Sequence, residues 1–176
     1  MFESDQLSGH LLLMLLTAVQ AFIACRLDWC NSLLLEYLQR KVQSVQNAAG
    51  RLLTSTRRRD HITPVLRQLH WLPVQRRVEF KIACLVHQSL ASTAPTYLSA
   101  DIRLISEHGR SHLRSSSHRT LVVPRTRASF RDRSFAAAGP RLWNTLLSTI
   151  RQMSSYGQLT RHLKAHYLEL RNHGAL

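Results

Sequence analysis

In RRRDHITPVLRQLHWLPVQRRVEFKI, Arg57 to Ile82, two prolines stand close together, Pro64 and Pro73. Proline has no N–H to give a helix interior but is tolerated in a first turn. Each proline therefore marks a helix start, and the helix between them is short, about Pro64 to His70. Asp60 or Thr63 is placed to cap it, and Trp71 and Leu72 close it. Pro73 opens the next helix. There Val78, Ile82, Leu85 and Ser89 form an apolar stripe, with Val86 and Leu90 beside it, until Pro95 stops the pattern.

Helical spacing extends upstream. From Leu34, apolar residues recur at Leu38, Val42, Val45, Ala49 and Leu52, opposite a polar face of Gln39, Lys41, Gln43, Gln46 and Asn47. Gly50 weakens this helix by about 1 kcal/mol relative to alanine. TSTRRRD breaks the period and reads as a connector. Near residue 99 the chemistry changes. From Arg103 to Arg133 the chain is rich in Ser, Arg and His, and LVVP, Leu121 to Pro124, is its one credible strand. FAAAGPRLWNTLLSTIR and SYGQLTRHLKAHYLEL then read as helices, the second with Leu159, Leu163, His166, Tyr167 and Leu170 on one face.

The expected fold is mainly α. It comprises an N-terminal extension (1–17), a small helical bundle (18–98), an irregular basic arm with one short strand (99–134) and C-terminal helices (135–176). With 44% apolar residues in a chain of 176, a packed core is affordable. Residues 11–24, LLLMLLTAVQAFIA, are too few to span a bilayer and are broken by Gln20, so they read as a buried helix. Three cysteines, Cys25, Cys30 and Cys84, are too sparse for a disulfide scaffold and fit a reducing, intracellular setting, nucleus or cytoplasm.

Charge is the other strong constraint. There are 24 basic residues against 10 acidic, a net +14, and only Lys41, Lys81 and Lys164 of the basic set are lysine. Arginine offers a planar fork that takes two phosphate oxygens at once. The arginines cluster between Arg51 and Lys81 and again between Arg110 and Arg133. Such surfaces attract nucleic-acid backbones. The candidate phosphate contacts are Arg51, Arg57, Arg58, Arg59, Arg67, Arg76, Arg77, Lys81, Arg114, Arg125 and Arg127. Trp71 and Trp143 lie in apolar helical context and are read as core ahead of base-stacking platforms.

Catalytic and metal motifs are scarce. His162 and His166 are four apart, but Leu163 stands where a metalloprotease has its glutamate, and His108 and His112 fail likewise. Cys25 and Cys30 are five apart and without a second pair, so they read as small buried residues. No two acids are adjacent, and neither a phosphate-binding GxxxxGK[ST] loop nor GxSxG occurs. No enzyme, cofactor or small-molecule substrate is expected.

The order of several blocks is informative. RLDWCNSLL (Arg26 to Leu34), VQNAAGRLL (Val45 to Leu53), the Arg57–Ile82 stretch and APTYL (Ala94 to Leu98) come first. LRSS (Leu113 to Ser116), VPRTR (Val123 to Arg127), FAAAGPRLWNTL (Phe135 to Leu146) and LKAHY (Leu163 to Tyr167) follow. Together, over about residues 18–170, they resemble the C-terminal tail of reverse transcriptases from LINE-type non-LTR retrotransposons. The resemblance implies a thumb and the region after it, with the aspartate-bearing palm missing. It implies a non-catalytic fragment that binds RNA or an RNA–DNA duplex through the backbone. Arg57, Arg58, Arg59, Arg67, Arg76 and Arg77 would then touch phosphates, over a core of Ile62, Val65, Leu66, Leu69, Trp71 and Leu72. The sequence departs from the family at residues 1–17, at EYLQRK where a Gly-Leu-Pro turn is usual, and at Gly50 where alanine is usual. A basic helical protein-interaction module and a non-functional translated remnant are the alternative readings.

Overall fold

The protein is mainly α-helical in a computed structural model, which describes residues 14, 21, 36–107, 119–127 and 131–169. In chain order the helices are α1 (Glu36–Thr54), α2 (Ile62–Gln68), α3 (Val74–Leu90), α4 (Thr96–Asp101), α5 (Phe135–Thr145), α6 (Ser148–Arg151) and α7 (Tyr156–Glu169). Single 3₁₀ turns lie at Ile105–Glu107 and Arg131–Arg133. The chain divides into two compact units, Met1–Gln75 and Arg76–Leu176, so the boundary falls inside α3. The chemical change near residue 99 lies within the second unit, where Ile102 and Leu121 are buried. No helix of the described residues is long and apolar enough to cross a membrane. The apolar run 11–24, apart from the helical residues Met14 and Ala21, lies outside the described residues, as do Cys25, Cys30, His108 and His112.

In the first unit α1 packs on α2 through Gly50. A Cβ there would stand 3.4 Å from Val65 Cγ1 and 3.8 Å from both Ile62 Cδ1 and Leu69 Cδ1. Val65, Leu66, Trp71 and Leu72 are buried, with Ile62 and Leu69 partly so. EYLQRK, where the family resemblance leads one to expect a turn, is helical from Glu36 on, since it lacks the glycine and proline that would stop it.

The face that α1 turns inward differs from the expected one. Gln46 is only 4% exposed, whereas Val45 is 61% and Leu52 83% exposed. The reason is an amide network. Gln46 Nε2 donates to the Leu72 carbonyl at 2.9 Å, and Gln46 Oε1 accepts from Gln43 Nε2 at 3.0 Å. Gln43 Oε1 in turn accepts the Val74 N–H at 2.8 Å. A helix start leaves its first N–H groups without partners, and a buried unpaired backbone group costs about 1–3 kcal/mol. Satisfying the 72–74 backbone therefore competes with burying one aliphatic side chain, which is worth about 1.5–3 kcal/mol.

Capping also differs. His61 occupies the N-cap of α2 and makes no side-chain cap bond, so neither Asp60 nor Thr63 serves there. Three helices end in left-handed residues that are not glycine: Ser55, His70 and Ser92. At each, an N–H reaches back five residues: Thr56 to Arg51 at 3.1 Å, Trp71 to Leu66 at 2.8 Å and Thr93 to Gln88 at 2.9 Å. These are Schellman-type ends, which satisfy carbonyls that the helix leaves open.

In the second unit Val78, Ala83, Cys84, Val86, His87 and Ser89 of α3 are buried. The buried face is thus centred nearer residue 86 than the stripe through Ile82 and Leu85 suggests; Ile82 is half-buried and Leu85 exposed. α5 meets α3 and Ile102 at Gly139, where a Cβ would lie 3.1 Å from Val86 Cγ2 and 3.6 Å from Ile102 Cδ1. α7 buries Leu159, Leu163 and Tyr167, as its spacing implies, while His166 is half-buried and Leu170 lies outside the described residues. His87 Nε2 hydrogen-bonds the Met153 carbonyl at 3.0 Å and its ring lies 6.4 Å from that of Trp143. Burial pushes the neighbouring Cys84 thiol up to about 11.

The strand expected at Leu121–Pro124 is not formed. One antiparallel bridge joins Leu121 to Leu104, and the described residues contain no strand. Asn144 occupies the other edge of Leu121. Its Oδ1 accepts the Leu121 N–H and its Nδ2 donates to the Leu121 carbonyl, both at 2.9 Å. Pro124, lacking an N–H, could not extend the pairing.

Candidate nucleic-acid interface

The connector between α1 and α2 forms a pinned basic turn. Asp60 N–H donates to the Arg57 carbonyl at 3.1 Å, and Asp60 Oδ2 accepts the Arg57 N–H at 3.2 Å. Arg51 Nη2 donates to the Asp60 carbonyl at 3.2 Å, and Thr54 Oγ1 donates to the Gly50 carbonyl at 2.9 Å. The backbone is thereby held while the side chains of Arg57, Arg58 and Arg59 remain exposed. Arg67 on α2 is also exposed and has a contact of its own within the chain. Beside the turn, an open groove of about 630 Å³ runs along α1, with Asn47, Arg51, Leu52, Thr56 and Arg58 in its lining.

The remaining expected contacts fall into different settings. Arg76 is half-buried: its Nη1 pairs with Glu79 at 2.7 Å, and its guanidinium carbon lies 6.0 Å from the centre of the Tyr167 ring. It links α3 to the Tyr167 ring of α7 while its side chain stays 38% exposed. Arg77 and Lys81 on the same helix are half-buried and likewise engaged within the chain. Arg114 lies outside the described residues. Arg125 and Arg127 are exposed in the second unit. Trp71 and Trp143 are buried, at 5% and 0% exposure, and cannot stack on bases.

Sequence reasoning missed what supports the second set of arginines. Trp143 Nε1 donates to the Arg119 carbonyl at 2.9 Å, and Arg151 Nη1 donates to Thr120 Oγ1 at 3.1 Å. With Asn144, these side chains fasten the 119–121 segment to the C-terminal helices. Farther along, Thr126 Oγ1 donates to Asp132 Oδ1, and Arg141 Nη2 pairs with the same oxygen at 2.7 Å. The Thr126 hydroxyl and the Arg141 guanidinium hold the Asp132 carboxyl below the usual carboxylate range. No spacing rule links residue 126 to 132 or 141; the only visible signal is arginine on both sides of Thr126 and of Asp132.

Among the described residues no three His, Cys, Asp or Glu side chains are grouped so as to hold a metal ion. Comparison of the chain with protein-family models, with curated proteins and with solved structures finds no match.

Proposed function

We propose that this chain is a non-catalytic nucleic-acid-binding fragment, akin to the thumb region of a LINE-type reverse transcriptase, that grips the phosphate backbone of RNA or an RNA–DNA duplex. The observation that carries the reading is the Arg57–Asp60 turn. Its backbone is pinned at both ends while three consecutive guanidiniums stay in solvent. An arrangement of this kind positions a polyanion and reads no bases, because phosphate contacts carry no direct sequence information. Burial of both central tryptophans supports backbone binding over stacking. In the parent family the acids that hold catalytic metal belong to the palm, so polymerisation is not assigned to this chain.

The test is fluorescence anisotropy of the full chain with a labelled RNA–DNA hybrid duplex across a salt series. Affinity is expected to fall steeply with salt and to differ little between two unrelated duplex sequences. Arg57→Ala/Arg58→Ala/Arg59→Ala should weaken binding and reduce the salt slope by about 1 per lost contact. Unchanged affinity in that triple variant would show that the grip is elsewhere.

A second reading draws on the outward apolar positions of α1. Val45 and Leu52 are exposed, and Leu52 lines the groove with Arg51 and Arg58, which suits a basic helical module docking on an acidic protein. Under that reading the triple variant and a Leu52→Ser variant would both lose a protein partner, and duplex binding would be weak from the start.

A further inference from the structure

Two tripeptides in the second unit share a pattern: Arg125-Thr126-Arg127 and Arg131-Asp132-Arg133. Their central residues are hydrogen-bonded to each other, Thr126 Oγ1 to Asp132 Oδ1. Arg141 Nη2 closes the joint, 2.7 Å from Asp132 Oδ1 and 3.3 Å from Thr126 Oγ1. The joint also carries an internal brace, since Ser134 Oγ donates to the Arg131 carbonyl at 2.7 Å. Adjacent Cα atoms lie about 3.8 Å apart. Tying the two centres therefore brings the backbone of the two arginine pairs together.

All four of those arginines are exposed, and no acid among the described residues pairs with them. The one carboxylate at the joint is already taken by Arg141. Like charges on two joined backbone segments repel one another in the free protein. A partner with closely spaced anions would relieve that repulsion, and a nucleic-acid backbone carries one charge for every 1.7 Å or so of duplex.

We propose that the Thr126–Asp132–Arg141 joint organises a second phosphate-backbone site, formed by Arg125, Arg127, Arg131 and Arg133, and that Asp132 is its positioning residue. The inference rests on the reading of the chain as a nucleic-acid binder, but not on the Arg57–Arg59 turn. It has a consequence that runs against simple charge counting: a negative side chain strengthens the binding of a polyanion. Without Asp132 the Arg141 guanidinium keeps only its longer bond to Thr126 and the two arginine pairs separate, although net charge rises by one.

The experiment uses the full chain and the same labelled RNA–DNA hybrid duplex. Asp132→Ala and Thr126→Val are expected to lower duplex affinity several-fold, while Asp101→Ala, which removes an exposed acid at the end of α4, should leave it equal or slightly raised. Arg125→Ala/Arg127→Ala/Arg131→Ala/Arg133→Ala changes only exposed side chains. It should reduce the salt slope by up to about 4, and it keeps the test valid if Asp132→Ala destabilises the unit. Equal or higher affinity in Asp132→Ala, with a folded circular-dichroism spectrum, overturns the positioning role. An unchanged slope in the quadruple variant overturns the site. If wild type binds and the Arg57–Arg59 variant weakens while the quadruple variant does not, this inference alone fails. If wild type does not bind duplex at all, the proposed function fails with it. Competition by polyglutamate that depends on the same four arginines, without a duplex effect, would reassign the surface to acidic proteins.

Discussion

The two basic turns of the molecule are each shaped by one aspartate, but at different range. In the first unit Asp60 accepts the N–H of Arg57, three residues away, within one turn. In the second, Asp132 takes the hydroxyl of Thr126 and is itself held by Arg141 on α5. The first is local chemistry and stands almost complete in RRRD. The second depends on a helix being in place before the turn has a shape. The comparison teaches that a cluster of arginines is only a surface once something fixes its backbone, and that the fixing group can be close or distant in sequence.

The supports of the two units can be tested against each other. The largest effect is expected at Asn144, which satisfies both backbone groups of Leu121. Asn144→Ala should destabilise the second unit by about 2–4 kcal/mol, since it leaves a partly buried N–H and C=O without partners. Urea denaturation followed by tryptophan fluorescence measures it, and a loss below 1 kcal/mol on that scale would mean that the 119–127 segment is held by other contacts.

The glycines come next and should give opposite signs. At Gly139 an added methyl meets Val86 Cγ2 at 3.1 Å, and Val86 is fully buried and cannot retreat. Gly139→Ala is expected to cost about 1–2 kcal/mol by overpacking. At Gly50 the nearest atom would be 3.4 Å away, an ordinary contact. Gly50→Ala should therefore stabilise by about 0.5–1 kcal/mol through helix propensity and a less flexible unfolded chain. Thermal melts of the two variants sort the cases directly; the same sign in both would mean that the helix contacts in the two units are equally tight.

The smallest expected change is chemical. Burial raises the Cys84 thiol to about 11, and the thiolate is the reacting form. In a Cys25→Ser/Cys30→Ser background, alkylation of Cys84 should stay slow at pH 8 and climb until the pH passes that value. A plateau near pH 9 would show that the thiol is not held in an apolar setting. Combined with Asn144→Ala, faster labelling reports opening of the second unit alone.

Much of this fold was legible from periodicity and proline. Pro73 directly precedes α3, and Leu159, Leu163 and Tyr167 of the α7 stripe are buried. What was not legible has physical causes. Helix ends at Ser55, His70 and Ser92 use left-handed residues without glycine, so they leave no mark of the usual kind. The face of α1 is set by Gln43 and Gln46 reaching the backbone at residues 72 and 74, a choice that hydrophobic spacing cannot express. LVVP has the composition of a strand, but a side chain from α5 occupies the edge where a second strand would pair. In the candidate site, Arg57, Arg58 and Arg59 are exposed on the turn after α1. Arg76 was indistinguishable from them in sequence, yet it pairs with Glu79, three residues on, at 2.7 Å.

Guanidiniums that face solvent from pinned turns are proposed to hold a phosphate chain. The most direct measurement is the slope of log association constant against log salt for the full chain on an RNA–DNA hybrid. Each neutralised phosphate contributes about −0.9 to that slope, so contacts by the three arginines of the first turn alone imply a value near −3 or steeper. A slope close to zero, with affinity that survives high salt, would contradict it.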